Sequence, residues 1–143
     1  MKKYLLLFVF SYLFVSTTLL AQNVEFEKAN FPNDKAGYKE AKRSIDDGDA
    51  YFNKSQNEGY RLYGDALEFY LKANKFNPSN ALLNYKIGVC YLNSAWKQKA
   101  LEYLEKAYKL NSAVDKNIRY YLGRGYHLNM DWDKAIQEYQ TYR

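Results

Sequence analysis

The sequence predicts an all-α protein built as a stack of antiparallel helix pairs, about three of them. Three observations carry that expectation. First, a short phrase recurs: Gly48-Asp49-Ala50-Tyr51, Gly88-Val89-Cys90-Tyr91 and Gly123-Arg124-Gly125-Tyr126 each precede an alanine-led segment opening at Ala66, Ala100 and Ala135. Those alanines lie 34 and 35 residues apart, and a period of that length marks proteins made of stacked repeats. Second, only two prolines and seven glycines punctuate a chain rich in Lys, Glu, Leu, Ala and Tyr, a composition that favours helix over sheet. Third, turn-forming pairs such as Asn77-Pro78 and Asn111-Ser112 fall between the recurring phrases, where helices have to stop.

Taken in order, residues 1–21 read as an export signal. Lys2 and Lys3 give a positive start, Tyr4 to Val15 an apolar run, and Ser16 to Ala21 a small-residue end, so cleavage after Ala21 is expected. The competing expectation is an uncleaved membrane anchor, because Tyr4 to Ala21 approaches the ~20 residues that cross a bilayer. Residues 22–37, with Asn23, Asn30, Pro32, Asn33, Asp34 and Gly37, lack a sustained period and read as a linker; packing of Phe26 and Phe31 on the first helix would make it a partly ordered arm. The repeat region follows over 38–143, in units of about 38–80, 81–115 and 116–143.

Within the first unit, Ala41, Ile45, Gly48 and Phe52 are spaced for a helix over Tyr38 to about Asn53. Ser55 to Gly59 is polar and turn-forming. A second helix runs from Leu62 to Phe76, with Leu62, Ala66, Phe69, Tyr70 and Ala73 on its apolar face. Ser79 or Asn80 then caps a helix to Asn93, and another is expected from Trp96 to Leu110. The third unit predicts helices over 114–129 and from Trp132 onward, the latter capped by Asp131. The last pattern reaches Arg143 before any turn signal, which is expected of a piece of a longer array.

Two short helices cannot bury their own apolar faces, so stacking has to do it. Gly48, Gly88 and Gly123 are expected to let the paired helix approach closely, with Ala66, Ala100 and Ala135 doing the same from the other side. Tyr51, Tyr91 and Tyr126 are expected to fill the wedge between one unit and the next. Glycine inside a helix costs about 0.5–1 kcal/mol relative to alanine, so three at one register imply a steric reason.

Charge and chemistry exclude several functions. The formal charge is +5, and removing Lys2 and Lys3 leaves 5 − 2 = +3, too small and too interspersed with acids to argue for nucleic acid. Cys90 is the only cysteine; neither an internal disulfide nor a cysteine-rich metal site is expected, and its apolar setting suits a buried small hydrophobe. With one histidine, the chain holds no H-x-x-x-H, C-x-x-C or G-x-S-x-G arrangement. No enzymatic activity, metal or cofactor is expected.

The units resemble tetratricopeptide repeats. The resemblance rests on Gly48, Tyr51, Tyr63, Ala66, Tyr70, Ala73 and Pro78 in the first unit. In the middle unit it rests on Ile87, Gly88, Tyr91, Ala100, Leu104 and Ala107, and in the last on Leu122, Gly123, Tyr126, Trp132, Ala135 and Tyr139. Departures are Asn84 and Arg119 at the usual first aromatic position, a six-residue insertion in the first unit, and Ser112 in place of a closing proline. The resemblance implies a right-handed superhelical stack whose concave groove, lined by first helices, binds a protein or peptide partner. It maps that groove onto Lys42, Ile45, Asp49 and Phe52, then Leu82, Tyr85, Val89 and Asn93, then Asn117, Tyr120, Arg124 and His127. Lys42, Tyr85, Asn93, Tyr120, Arg124 and His127 become the candidate partner-binding residues, with an acidic or extended peptide as the expected ligand. The order of export signal, short linker and repeats further resembles the N-terminal part of Gram-negative OmpA-family envelope proteins. That likeness implies a periplasmic or outer-membrane location, with membrane association through envelope partners.

Overall fold

The structure, a computed structural model, describes residues 22–58 and 61–143, the side chains of 56–58 aside; the expected export signal lies outside the described residues. Among the described residues there are six α-helices and no strand: α1 (Lys35–Glu58), α2 (Arg61–Phe76), α3 (Ala81–Leu92), α4 (Ala100–Leu110), α5 (Ile118–Leu128) and α6 (Trp132–Tyr142). None of them is long and apolar enough to cross a membrane.

The helices pack as three consecutive pairs, α1 with α2, α3 with α4 and α5 with α6. Each pair is antiparallel. In the last, Tyr142 Oη donates to Asn117 Oδ1 and Arg119 Nη1 to Glu138 Oε2, while His127 meets Trp132 at the opposite end. The expected glycine register is present in all three. A Cβ placed on Gly48 would lie 2.7 Å from the Tyr70 ring, on Gly88 2.6 Å from Leu104 Cγ, and on Gly123 2.6 Å from the Tyr139 ring. Tyr70, Leu104 and Tyr139 each stand four residues after the buried alanines Ala66, Ala100 and Ala135. Small residues on both helices therefore admit one large side chain between them.

The tyrosine expectation needs correction. Tyr51 stacks on Phe69 and Tyr91 on Tyr103, each inside its own pair. Only Tyr126 reaches the preceding unit by hydrogen bond, donating from Oη to Glu105 Oε1 at 2.7 Å. Contact between units is made elsewhere: Gly125 sits on Leu101, Arg119 Nη2 donates to Tyr108 Oη, and Lys86 pairs with Asp49.

Several boundaries shift. The first helix starts at Lys35 and continues through Ser55 to Glu58; Ser55 is buried and donates back to Phe52 O instead of opening a turn. Trp96 lies outside the fourth helix, on an exposed connection that ends in a 3₁₀ turn over Lys97–Lys99. The fifth helix begins only at Ile118, after Asp115 Oδ1 accepts from Asn117 N in a side-chain turn. Asn80 caps α3 by accepting from Leu83 N at 2.8 Å, and Asp131 caps α6 by accepting from Lys134 N. The α5–α6 turn closes with Asp131 N donating to Tyr126 O and Met130 N to His127 O, with Met130 at φ 62°. That is a Schellman closure with a non-glycine residue in the left-handed position.

Two polar residues act as ties within this packing. Asn84, fully buried, donates from Nδ2 to Pro78 O and Asn80 O. Arg119 joins Glu138 on α6 to Tyr108 on α4. No buried side-chain nitrogen or oxygen among the described residues lacks a partner, as packed interiors require.

The expected linker is a docked arm. Phe31 packs on Phe76 at 4.9 Å and stacks on Tyr38, while Phe26 sits 6.4 Å from Phe76. Val24 N donates to Ser79 O, pinning the arm to the turn between α2 and α3.

Candidate functional site

The first helices α1, α3 and α5 carry the face expected to bind a partner, and its shape follows from how tightly α3 is enclosed. Of α3's twelve residues, only Leu82 and Lys86 escape burial, because helices on both sides cover it. The solvent stripe of α3 therefore runs through Leu82 and Lys86. Tyr85 is 7% exposed, with its ring edge-on to Tyr121 of α5 at 5.7 Å. Burial pushes its hydroxyl well above the ordinary tyrosine range, and the Asp115 carboxylate reinforces the shift. Tyr85 and the buried Val89 are core residues, which corrects their placement in the groove. Phe52 is likewise half-buried against Tyr63 and Tyr70.

Among the described residues, two clefts lie along this face. The one between α1 and α3 has a volume of about 340 Å³ and is lined by Lys42, Ile45, Asp49, Leu82 and Lys86, with Glu25, Phe26 and Glu27 of the arm as a further wall. Its cations are already committed. Lys42 Nζ pairs with Asp46 at 2.6 Å and Lys86 Nζ with Asp49 Oδ1 at 2.6 Å. The same Asp49 oxygen accepts from Tyr70 Oη at 2.6 Å, and burial followed by that bond pushes the Tyr70 hydroxyl far up. With Glu25 and Glu27 added, this end is acidic.

The second cleft, about 400 Å³, is lined by Leu92, Asn93, Ser94, Lys97 and Arg124. It holds two cations and no carboxylate among its lining residues. Asn93 is braced by donation from Nδ2 to Val89 O, and Arg124 lies over the Tyr120 ring at 5.9 Å. Tyr120 is exposed and packs against Tyr121, Tyr139 and Tyr142. The guanidinium is thus held by an aromatic shelf, a weakly hydrated cation suited to a carboxylate.

Of the six candidate residues, Asn93 and Arg124 come together in the basic cleft, and Tyr120 supports Arg124 from behind. Lys42 stands in the acidic cleft. Tyr85 is buried. His127 is exposed at the α5–α6 turn, edge-on to Trp132 at 5.1 Å, and lines neither cleft. Sequence reasoning missed Lys86, one position from Tyr85 and in phase with Leu82, and it missed Lys97, which belongs to a connection.

Among the described residues no group of three or more His, Cys, Asp or Glu side chains is placed to hold a metal ion. Burial pushes the Cys90 thiol up to about 12, so it is held protonated in the core. Compared with models of known protein families and with curated proteins, the chain gives no match.

Proposed function

We propose that this chain is a tetratricopeptide-type binding scaffold that performs no chemistry and grips an acidic, extended segment of a partner protein on its first-helix face. One observation carries the reading: the cleft at Asn93, Lys97 and Arg124 gathers two cations with no lining carboxylate, whereas the neighbouring cleft has its lysines paired internally. Charge-assisted hydrogen bonds from a braced guanidinium are the stronger kind. The matching glycine–large-residue contacts in three successive pairs support the repeat assignment. On this reading the three pairs form a right-handed superhelical stack. Export to the cell envelope, as the N-terminal part of an OmpA-type peptidoglycan-associated protein, follows from the lysine-led apolar start of the sequence and the order of its segments.

The test is fluorescence anisotropy with labelled peptides that are acidic, neutral or basic at equal length. The acidic peptide is expected to bind at least tenfold more tightly than the neutral one, with affinity falling as salt rises. Arg124→Glu with Lys97→Glu is expected to remove that preference, while Lys42→Ala leaves it intact. Equal binding of all three peptides, or indifference to the double reversal, would refute the reading. Mass spectrometry of the mature N-terminus in the native host distinguishes a chain starting at Gln22 from one retaining Met1.

A further inference from the structure

The arm is held chiefly through its main chain. At Val24 both backbone groups are used: N–H donates to Ser79 O at 2.8 Å, and the carbonyl accepts from the side-chain amides of Asn77 at 2.8 Å and Asn80 at 3.0 Å. Asn77 and Asn80 are each only 4% exposed. On one side of Val24, Asn23 Oδ1 accepts from Ala81 N at 2.8 Å, satisfying a free amide of the first turn of α3. On the other, Glu25 Oε2 accepts from Asn80 Nδ2 at 3.0 Å, and Phe26 enters the aromatic cluster with Phe31 and Phe76.

The next unit supplies an internal comparison. In both corners an asparagine closes the turn, Asn77 Oδ1 accepting from Ser79 N and Asn111 Oδ1 from Ala113 N. The turn itself therefore requires only that asparagine. In the register that sets Arg119 35 residues after Asn84, Asn80 corresponds to Asp115; both accept a backbone N–H through a side-chain oxygen, but only Asn80 also carries an amide donor. The α2–α3 corner thus adds a second amide donor that turn closure does not need, and it is spent on the arm. With the arm removed, both amides lose the acceptors that Val24 O and Glu25 Oε2 supply, so the corner offers two preplaced donors to a segment of the same kind.

We propose that the α2–α3 corner is a strand-binding clamp for an extended Asn-x-Glu-Phe segment. Residues 23–26 fill it in cis, and the same segment supplied in trans fills it when the cis arm is weakened. Like strand addition, this recognition uses the ligand's main-chain N–H and C=O, here met by Ser79 O and two side-chain amides, with side chains on either side supplying selectivity. Because Glu25, Phe26 and Glu27 also wall the acidic cleft, clamp occupancy sets the charge at that end of the first-helix face.

The experiment uses the full chain and a fluorescent, acetylated peptide of residues 22–32. An arm-weakened chain carrying Val24→Pro and Phe26→Ala loses the main-chain donor and one of the arm's two aromatic anchors but none of the helices. It is expected to bind the peptide at least tenfold more tightly than the unaltered chain, whose own arm competes. Adding Asn80→Asp to the arm-weakened chain keeps an oxygen to cap α3 but removes the amide donor; binding is expected to fall at least tenfold with helical content unchanged. A peptide N-methylated at the Val24 position is expected to bind at least tenfold more weakly. The proposal fails if the arm-weakened chain, helical by circular dichroism, does not bind the peptide. It fails equally if that chain binds the N-methylated peptide as well as the unmodified one.

Discussion

Gly88→Ala and Gly64→Ala are the same chemical change inside two helices, and the structure gives them opposite signs. At Gly88 the added methyl carbon would lie 2.6 Å from Leu104 Cγ, 2.7 Å from Leu104 Cδ2 and 3.3 Å from Ala100 O. Leu104 is fully buried and Ala100 O belongs to a backbone, so neither neighbour can yield cheaply. Overpacking of that kind costs about 1–3 kcal/mol, against a propensity gain of about 0.5–1 kcal/mol. The net expectation is a loss of roughly 0.5–2 kcal/mol, at about 2–4 °C of Tm per kcal/mol for a chain near this length. At Gly64 no atom of the described residues beyond its own helix backbone and chain neighbours lies within 4 Å of the new methyl, leaving only the gain of about 0.5–1 kcal/mol. Chemical denaturation followed at 222 nm measures both. A double-mutant cycle sharpens the test. Leu104→Ala alone is expected to cost about 2–5 kcal/mol, but less beside Gly88→Ala, because the new methyl fills part of the space; coupling of about 0.5–3 kcal/mol is expected for touching residues. If Gly88→Ala stabilises as Gly64→Ala does, or the two substitutions in the cycle are additive, the close approach of α3 and α4 is wrong.

Other outcomes follow from single features. Met130→Gly is expected to stabilise by about 0.5–1 kcal/mol, since a non-glycine residue in the left-handed region costs about 1–2 kcal/mol and Met130 is exposed at φ 62°; an unchanged denaturation midpoint would contradict this. Cys90 is expected to resist a thiol reagent at pH 8 until the chain unfolds, because burial holds the thiol protonated; fast labelling of the folded chain would refute its burial. Asp49→Ala is expected to cost about 2–3 kcal/mol by denaturation, because it strands the buried Tyr70 hydroxyl and the half-buried Lys86 ammonium together. Stability is expected to fall above pH 9. Cys90 and the buried tyrosines Tyr70 and Tyr85 have folded-state values raised above their unfolded ones, so the folded chain binds more protons there. Their contribution is complete below the unfolded values, about 9 for the thiol and 10 for the phenols, and is lost at about 1.4 kcal/mol per pH unit per group above them. Denaturation midpoints at pH 8, 10 and 11 check the sign, and Tyr70→Phe is expected to flatten the slope.

What the sequence made legible was whatever depends on spacing along one helix. Gly48, Gly88 and Gly123 recur at one register because each faces a large residue on its partner, and that geometry repeats with the chain. The phase of the exposed stripe was not legible at α3. Tyr85 and Lys86 are neighbours in sequence, and which of them meets solvent is decided by Tyr121 and Asp115 from the next unit. Lys97 escaped notice because a groove mapped from helix positions omits a connection. Phe26 and Phe31 hinted at an arm, but its hydrogen bonds escaped for a different reason: they run from Val24 to Ser79, Asn77 and Asn80, more than fifty residues away, and engage backbone groups that every residue type possesses.

Asn84 and Arg119 explain how neighbouring helix pairs hold their register. An apolar stack alone tolerates sliding, since one Leu or Ala contact resembles the next. Asn84 and Arg119 stand at equivalent positions, 35 residues apart, and each makes directional bonds: Asn84 donates to the corner at Pro78 and Asn80 and accepts from Asn74 of α2, while Arg119 donates to Tyr108 of α4 and Glu138 of α6. Such bonds stabilise little on balance when both partners are present but cost the full desolvation of the survivor when one is lost. A slip of α3 or α5 against the preceding pair would break the bond from Asn74 of α2 to Asn84 or that from Arg119 to Tyr108 of α4, whereas it would merely exchange one apolar contact for another. The same logic applies to Asp49, which joins Tyr70 of its own pair to Lys86 of the next through one oxygen. Each junction between units therefore carries a polar tie embedded in apolar packing, and the clefts on the first-helix face keep their spacing because those ties fix the helices that line them.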